Sequence, residues 1–443
     1  MSMANNTGAG VAAPDPVGAV LVPHRRALTL LLLTMAYFFS YMDRQILAIL
    51  NEDIIRDLHL SDAQMGVLGG LAFAIFYAGL GLPVAWLADR GNRVRIIAIA
   101  LAVWSGFTAA GGLALNFWQL LAARIGVGVG EAGSSPPSHS IIADLYPPEK
   151  RASAMAIYSL GVGLGAAFGT IIGGTVATFY GWRAAMYVIG LPGLLLALVI
   201  WLVVPEPKRG LSDAQTAMEE GKPTLAQGFA TLFANRAALH LIAGFTLTSM
   251  IGYGHTAFGP AYLIRSFGLT KLQIAWYIAP AAAVILTVAA IISGRVADRL
   301  ARKRGLSVQA TMVAVLKTCA LPFTITFYLA TSTSVALTAY FCAILFSTVY
   351  LGATFSLIQS EAPVRQRATW AAITLLINNM IGLGLGPVLV GAISDALKPT
   401  YGAESLRYAM FTFAAITPWA IFHYWRAGVL LRRQRAARAE VAR

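Results

Sequence analysis

The chain has 443 residues, 58% hydrophobic and 12% charged, where a soluble domain carries about 25% charge. With a mean hydropathy of +0.68, its expected solvent is lipid. The two cysteines, Cys319 and Cys342, offer neither a disulfide framework nor a metal-ligand spacing. A net charge of +14 suggests nucleic acid only until its distribution is read.

The first 26 residues are small, polar and broken by Pro and Gly. They lack the apolar core and cleavage site of a signal peptide and read as a disordered cytoplasmic tail. A bilayer-crossing helix needs about 20 apolar residues. Segments of that kind fall at 27–50, 64–88, 94–114, 117–144, 152–178, 182–204, 236–262, 272–295, 307–330, 334–360, 368–392 and 404–430. The expected fold is all-α and integral to the membrane, with twelve transmembrane helices. The polar stretch 205–235 reads as a cytoplasmic linker between two six-helix bundles, 27–204 and 236–430, and 431–443 as a basic tail. Within the linker, 225–233 suits a short interfacial amphipathic helix.

With the N-terminus placed inside, 24 of the 33 Lys and Arg residues fall on the cytoplasmic side. Six fall outside (Arg56, Arg183, Arg265, Lys271, Lys398, Arg407) and three inside the membrane (Arg44, Arg124, Lys317). This positive-inside bias accounts for the net charge without nucleic acid and puts both termini in the cytoplasm. The Ala- and Arg-rich composition and short loops suit a bacterial inner membrane.

Two loop signatures recur in register. WLADRGNRVR after the second helix is echoed by SGRVADRLARKRG after the eighth, and IADLYPPEKRASA after the fourth by QSEAPVRQRATW after the tenth. Such a parallel duplication places the symmetry axis along the membrane normal. Gly294, Asp298, Arg299, Arg302 and Lys303 match the Gly-x-x-x-Asp-Arg-x-Gly-Arg-Lys signature, with Ala301 at its second glycine; Asp89, Arg90 and Arg93 match it in the first half. On these motifs the chain resembles the major facilitator superfamily over nearly its whole length. The resemblance implies alternating access by rocking of two six-helix bundles. Asp89, Arg90, Arg93, Asp144 and Arg151, with their counterparts Asp298, Arg299, Glu361 and Arg367, are then expected to form a cytoplasmic gate; the plainer alternative is topology-setting loop charge.

Ionisable residues inside a membrane are expensive and mark function by default. Helix one carries Asp43 and Arg44 deep in its apolar run, and helix four carries Arg124 and Glu131. Counted from the outer helix ends at 1.5 Å per residue, Asp43 and Arg124 both lie roughly 12 Å deep, so they are expected to face each other. Arg124 and Glu131, seven residues apart, share a face. Asp43 and Glu131 are the expected proton-binding groups, and Arg44 and Arg124, with Tyr37 and Ser40 on Arg44's face, the expected substrate-binding groups. The alternative is a static buried salt bridge.

Lys317 is expected to snorkel or to serve structure. His255 and His139 remain ambiguous, and Gln359, Asn378 and Asn379 suit interhelical hydrogen bonds. Gly165, Gly169, Gly173 and Gly174 in helix five resemble an antiporter signature, G-x-x-x-G-P-x-x-G-G, with Thr170 in place of its proline; close helix packing explains them equally well.

Asp43-Arg44, Asp89-Arg90 with Asn92-Arg93, and Arg124, Gly128, Gly130, Glu131 and Ala132 followed by Ile142 to Leu145 together resemble the spinster-like branch of the superfamily. That resemblance implies an amphipathic anion such as a lysolipid or sphingoid phosphate, moved with protons. An organic-anion or sugar-phosphate symporter and a drug/proton antiporter stay open. No catalytic set, metal or cofactor is expected, and the chain is expected to act as a monomer in the lipid bilayer.

Overall fold

The computed structural model describes residues 23–209, 224–347 and 350–441; the expected tail up to residue 22 and the middle of the linker lie outside this set. Among the described residues the chain forms twelve long helical segments. In the first half these are α1 (Pro23–Leu58), α2 (62–90), α3 (Arg93–Gly111), α4 (117–145), α5 (148–180) and α6 (182–203). In the second they are α7 (Arg236–Phe267), α8 (271–304), α9 (Val308–Leu329), α10 (333–361), α11 (367–401) and α12 (405–441). A further helix, Leu225–Ala234, ends the linker. Eight helical runs are long and apolar enough to cross a membrane by length and composition; two of them, of 55 and 68 residues, each hold two helices. Those two turn back at Gly181 (φ +82°) and Gly402 (φ +55°), where only glycine is unstrained. The charged helix α1 and the interrupted α4 complete the twelve.

Several helices outrun their apolar stretch. α1 begins at Pro23, so the last residues of the expected tail are helical, and α12 continues to Val441, so most of the expected basic tail is helical too. Local chemistry fixes the starts. Asn92, Asn116 and Asn235 each accept a hydrogen bond from the backbone three residues on, which caps α3, α4 and α7. Ser61 with Gln64 and Thr270 with Gln273 form capping boxes at the starts of α2 and α8, at the spacing that separates Asp89 from Asp298. Both boxes lead into π-helical turns, Val67–Leu71 and Ile274–Ile278. The duplication is thus carried by backbone geometry as well as by loop charge.

The glycines of α5 act in packing. A Cβ on Gly165 would lie 2.4 Å from the Phe38 carbonyl oxygen, and one on Gly169 2.9 Å from Met42 Cα, so α5 seats directly on α1.

Twelve spans bring both termini to one end of the bundle, the termini end. At the opposite, far end a single apolar core runs through both halves, from Ile46, Leu50 and Trp182 to Phe258, Ile274 and Phe327. Toward the termini end the core divides. One part, around Ile97, Trp104 and Ile141, belongs almost wholly to the first half; the other, around Leu241, Val313 and Trp370, belongs to the second. The halves are welded at the far end and part toward the termini.

Candidate functional site

The buried charges of α1 and α4 meet where the core divides. Arg44 Nε donates to Glu131 Oε2 at 2.8 Å, and its Nη2 lies 2.6 Å from the same oxygen. Ser40, one turn earlier, donates to that oxygen at 2.8 Å. Glu131 is fully enclosed, whereas a fifth of the Arg44 side chain stays accessible. The Arg44 guanidinium also lies over three rings: Phe73 at 4.7 Å, Tyr77 at 4.8 Å and Tyr41 at 5.0 Å. It is a caged cation with one open side. Tyr37 extends the wall, stacked on Tyr158 at 4.4 Å and edge-on to Tyr41. Tyr253 of α7 completes it from the second half, within electrostatic range of Arg44, Tyr41 and Tyr77.

The pairing differs from the expectation. Asp43 and Arg124 do lie within electrostatic range of each other, as their depth suggests, but the described ion pair joins Arg44 to Glu131. Helical side chains lean toward their own N-terminus. On α1 this carries Arg44 toward the termini end, where Glu131 lies. On the antiparallel α4 it carries Arg124 away from Glu131, and Arg124 Nε instead donates to the Leu68 carbonyl, 3.3 Å away in the π-turn of α2. Asp43 is 2% exposed, beside Thr108 and within electrostatic range of Glu131, Arg124 and Arg44. Its Oδ1 and Glu131 Oε1 have no hydrogen-bond partner. Such orphaned buried oxygens are costly.

The loop charges expected to form a gate are divided. Arg93 is 1% exposed and sits inside the first half. It donates to Glu206 Oε1 at 2.7 Å, to the Pro207 carbonyl at 2.9 Å, to Ser140 at 2.8 Å, and to Asp144. Glu206 also accepts from Val94 N and so covers the start of α3. This cluster staples the exit of α6 to α3 and α4. Arg151 donates to the Ala143 carbonyl at 2.8 Å, and the Arg90 guanidinium lies over the Trp86 ring of its own helix at 4.2 Å. Asp89, Asp298, Arg299 and Arg367 are exposed and Glu361 half-buried.

An interlock at the far end escaped the sequence reading. Arg265 of α7 grips Asp62 at the start of α2 with two hydrogen bonds, 2.8 and 2.7 Å, and Glu52 of α1 with a third, 2.8 Å. Ser394 of α11 donates to Asp62 at 2.7 Å. Asp395 accepts from the backbone of Asp62 and Ala63 and so caps α2 from the opposite half. Lys271 of α8 pairs with Asp53 at 2.5 Å. Sorting the basic residues for topology hid the signal, which lies in the acids: Glu52, Asp53, Asp57 and Asp62 crowd one half's far end, opposite Arg265 and Lys271 on the other.

The remaining polar candidates are placed as follows. His255 Nδ1 is 3.0 Å from the Tyr328 hydroxyl, and His139 meets Tyr158 edge-on. Asn378 is buried and Gln359 exposed. Lys317 does not snorkel: it is buried beside Tyr350. Among the described residues no group of His, Cys, Asp and Glu is arranged to hold a metal ion.

The Major Facilitator Superfamily matches residues 33–387. An MFS-type efflux pump of Mycolicibacterium smegmatis is 31% identical over 93% of this chain and 94% of its own length. A sphingosine-1-phosphate transporter of Danio rerio is 25% identical over 85% of this chain and 77% of its own. The crystal structure of a bacterial homolog of the human lysosomal transporter Spinster, inward-facing and unoccupied, superimposes with a TM-score of 0.83 at 30% identity, covering 92% of this chain and 98% of that one. The duplicated six-helix bundles, the loop signatures and these matches agree: the chain belongs to the major facilitator superfamily and is a transporter of its spinster-like branch.

Proposed function

We propose that this transporter moves an amphipathic anion, of the lysolipid or sphingoid-phosphate kind, by proton-coupled alternating access in a bacterial inner membrane with both termini cytoplasmic. The observation that carries the reading is the caged Arg44, held by Glu131 yet open on one side. A proton on Glu131 would remove the charge that holds Arg44 and turn the guanidinium toward an anionic head, while the surrounding tyrosines and Phe73 accept an apolar neighbour. Asp43, with its orphaned oxygen, is the second proton-binding group, and Arg124 the second cation. Asp89, Arg90, Asp298, Arg299 and Arg367, with Asp144, Arg151, Glu361 and the Arg93 cluster, close the cytoplasmic side when the far end opens.

The test is the pH dependence of binding to the purified chain, with a short-chain lysophosphatidic acid as probe. Wild type is expected to bind more tightly as pH falls, Glu131→Gln to bind with little pH dependence, and Arg44→Ala to lose the probe. Binding that survives Arg44→Ala refutes the anion site. Affinity that weakens as pH falls refutes this sense of coupling and favours antiport.

One observation favours a second reading, transport of drugs against protons: the relative that is an efflux pump. A cationic drug needs an accessible carboxylate, and Glu131 is enclosed and already engaged by Arg44, so the anion reading ranks first.

A further inference from the structure

The second half carries a charge that the Arg44 site does not use. Lys317, in the middle of α9, is 8% exposed. Among the described residues no charged side chain lies within its electrostatic range, and its ammonium sits 5.1 Å from the centre of the Tyr350 ring. An isolated lysine at bilayer depth is costly, and methionine or leucine would pack there without that cost. Tyr350 links this cation to the space between the halves. Ser249 of α7 lies beside its hydroxyl, Tyr41 of α1 is within electrostatic range, and Tyr253 lies in range of both Tyr350 and Arg44.

We propose that Tyr350, backed by Lys317, is the second half's anchor for the anionic head of the substrate. A cation against the face of a phenol draws electron density from the ring and makes its hydroxyl a stronger donor toward an anion. Tyr350 is the binding residue; Lys317 acts through it as a positioning residue and raises the local positive potential. The substrate head then bridges Arg44 of one half and Tyr350 of the other. The proposal rests on the anion reading above and adds a contact from the opposite bundle.

The experiment compares binding of short-chain lysophosphatidic acid with that of the uncharged monoacylglycerol of equal chain length, on the purified full chain. Wild type is expected to prefer the phosphate. Lys317→Met and Tyr350→Phe are each expected to lower that preference about tenfold, Lys317→Arg to retain it, and the double variant to lose no more than either single change. A Lys317→Met protein with wild-type preference overturns the proposal, as do losses that add in the double variant. If Lys317→Met fails to fold, Tyr350→Phe and Lys317→Arg carry the test: unchanged preference in the first, or lost preference in the second, overturns it. A preference that needs Arg44 but neither Tyr350 nor Lys317 removes this anchor and leaves the anion reading standing. No preference in wild type removes both.

Discussion

Arg265 is the keystone of the far-end interlock, and its removal has a calculable effect. It makes three charge-assisted hydrogen bonds across the halves, to Glu52 and twice to Asp62. The side chain of Asp62 is 3% exposed and that of Arg265 16%. Truncation of one partner of such a pair leaves a buried charge uncompensated, at a cost of about 3–5 kcal/mol. Ser394 and the residual exposure of Arg265 argue for the lower end, about 3 kcal/mol, or roughly 150-fold in the balance between far-end-closed and far-end-open forms. The Lys271–Asp53 pair and the Asp395 cap remain, so the change shifts the equilibrium without abolishing closure. Spin labels at Leu115 and Ser332, exposed far-end positions in opposite halves, read the separation by pulsed electron resonance once Cys319 and Cys342 are replaced by alanine. Arg265→Ala is expected to add a longer distance population absent from wild type, and Arg265→Ala with Asp62→Asn to add little beyond the single change. An unchanged distribution in both Arg265→Ala and Arg265→Ala/Lys271→Ala refutes the interlock.

Three further outcomes are expected. A Cβ on Gly391 would lie 2.2 Å from the Asp62 carbonyl oxygen, whereas one on Gly79 meets nothing within 4 Å; Gly391→Ala should therefore lengthen the same label distance while Gly79→Ala leaves it alone, and equal behaviour of the two contradicts the close crossing. Arg93→Ala removes the ion pairs to Asp144 and Glu206 at the termini end and is expected to cost about 3 kcal/mol of stability, read as a lower thermal midpoint in detergent; an unchanged midpoint would show that the staple holds nothing. Asp43→Asn mimics the neutral acid and should spare folding and substrate exchange while abolishing accumulation driven by a pH gradient in proteoliposomes, and accumulation at the wild-type level removes Asp43 from the coupling.

The parts of this molecule that were legible in its sequence are those set by the solvent and by local chemistry. Lipid requires long apolar runs, so the helices could be counted. The duplication showed in Asp89 and Asp298 because both lie toward the C-terminal end of the second helix of a bundle. The four charges of α1 and α4 could be singled out because membrane burial of a charge is costly wherever it occurs. Their pairing was hidden, because depth along two helices leaves out the lean of the side chains: Arg44 and Arg124 point toward opposite ends of the bundle because their helices are antiparallel. The interlock was hidden for another reason. Asp62 and Arg265 look like ordinary loop charges until the two halves are brought together, and nothing local to either residue encodes that meeting.

If transport is proton-coupled, as proposed above, the placement of the charges constrains how the coupling would work. Arg44, Glu131, Asp43 and Arg124 all belong to the first half, and the ion pair described among them, Arg44–Glu131, stays within it. A proton can shift the balance between two arrangements of the halves only through a group with different affinity for each arrangement. The interlock is such a group, but it lies at the far end, with the apolar core of Ile46, Leu50 and Phe258 between it and the Arg44 cage. The shared aromatic wall, Tyr41 and Tyr77 from one half and Tyr253 and Tyr350 from the other, is the place where the first half's charge and the second half's surface come within reach of one ligand. A substrate bound there makes its contacts in both bundles only when they approach at the termini end, and that approach, in a rocking molecule, is what draws Arg265 off Asp62. Under the proposed mechanism, the proton would set whether Arg44 is available, and the substrate would carry that information across to the other half.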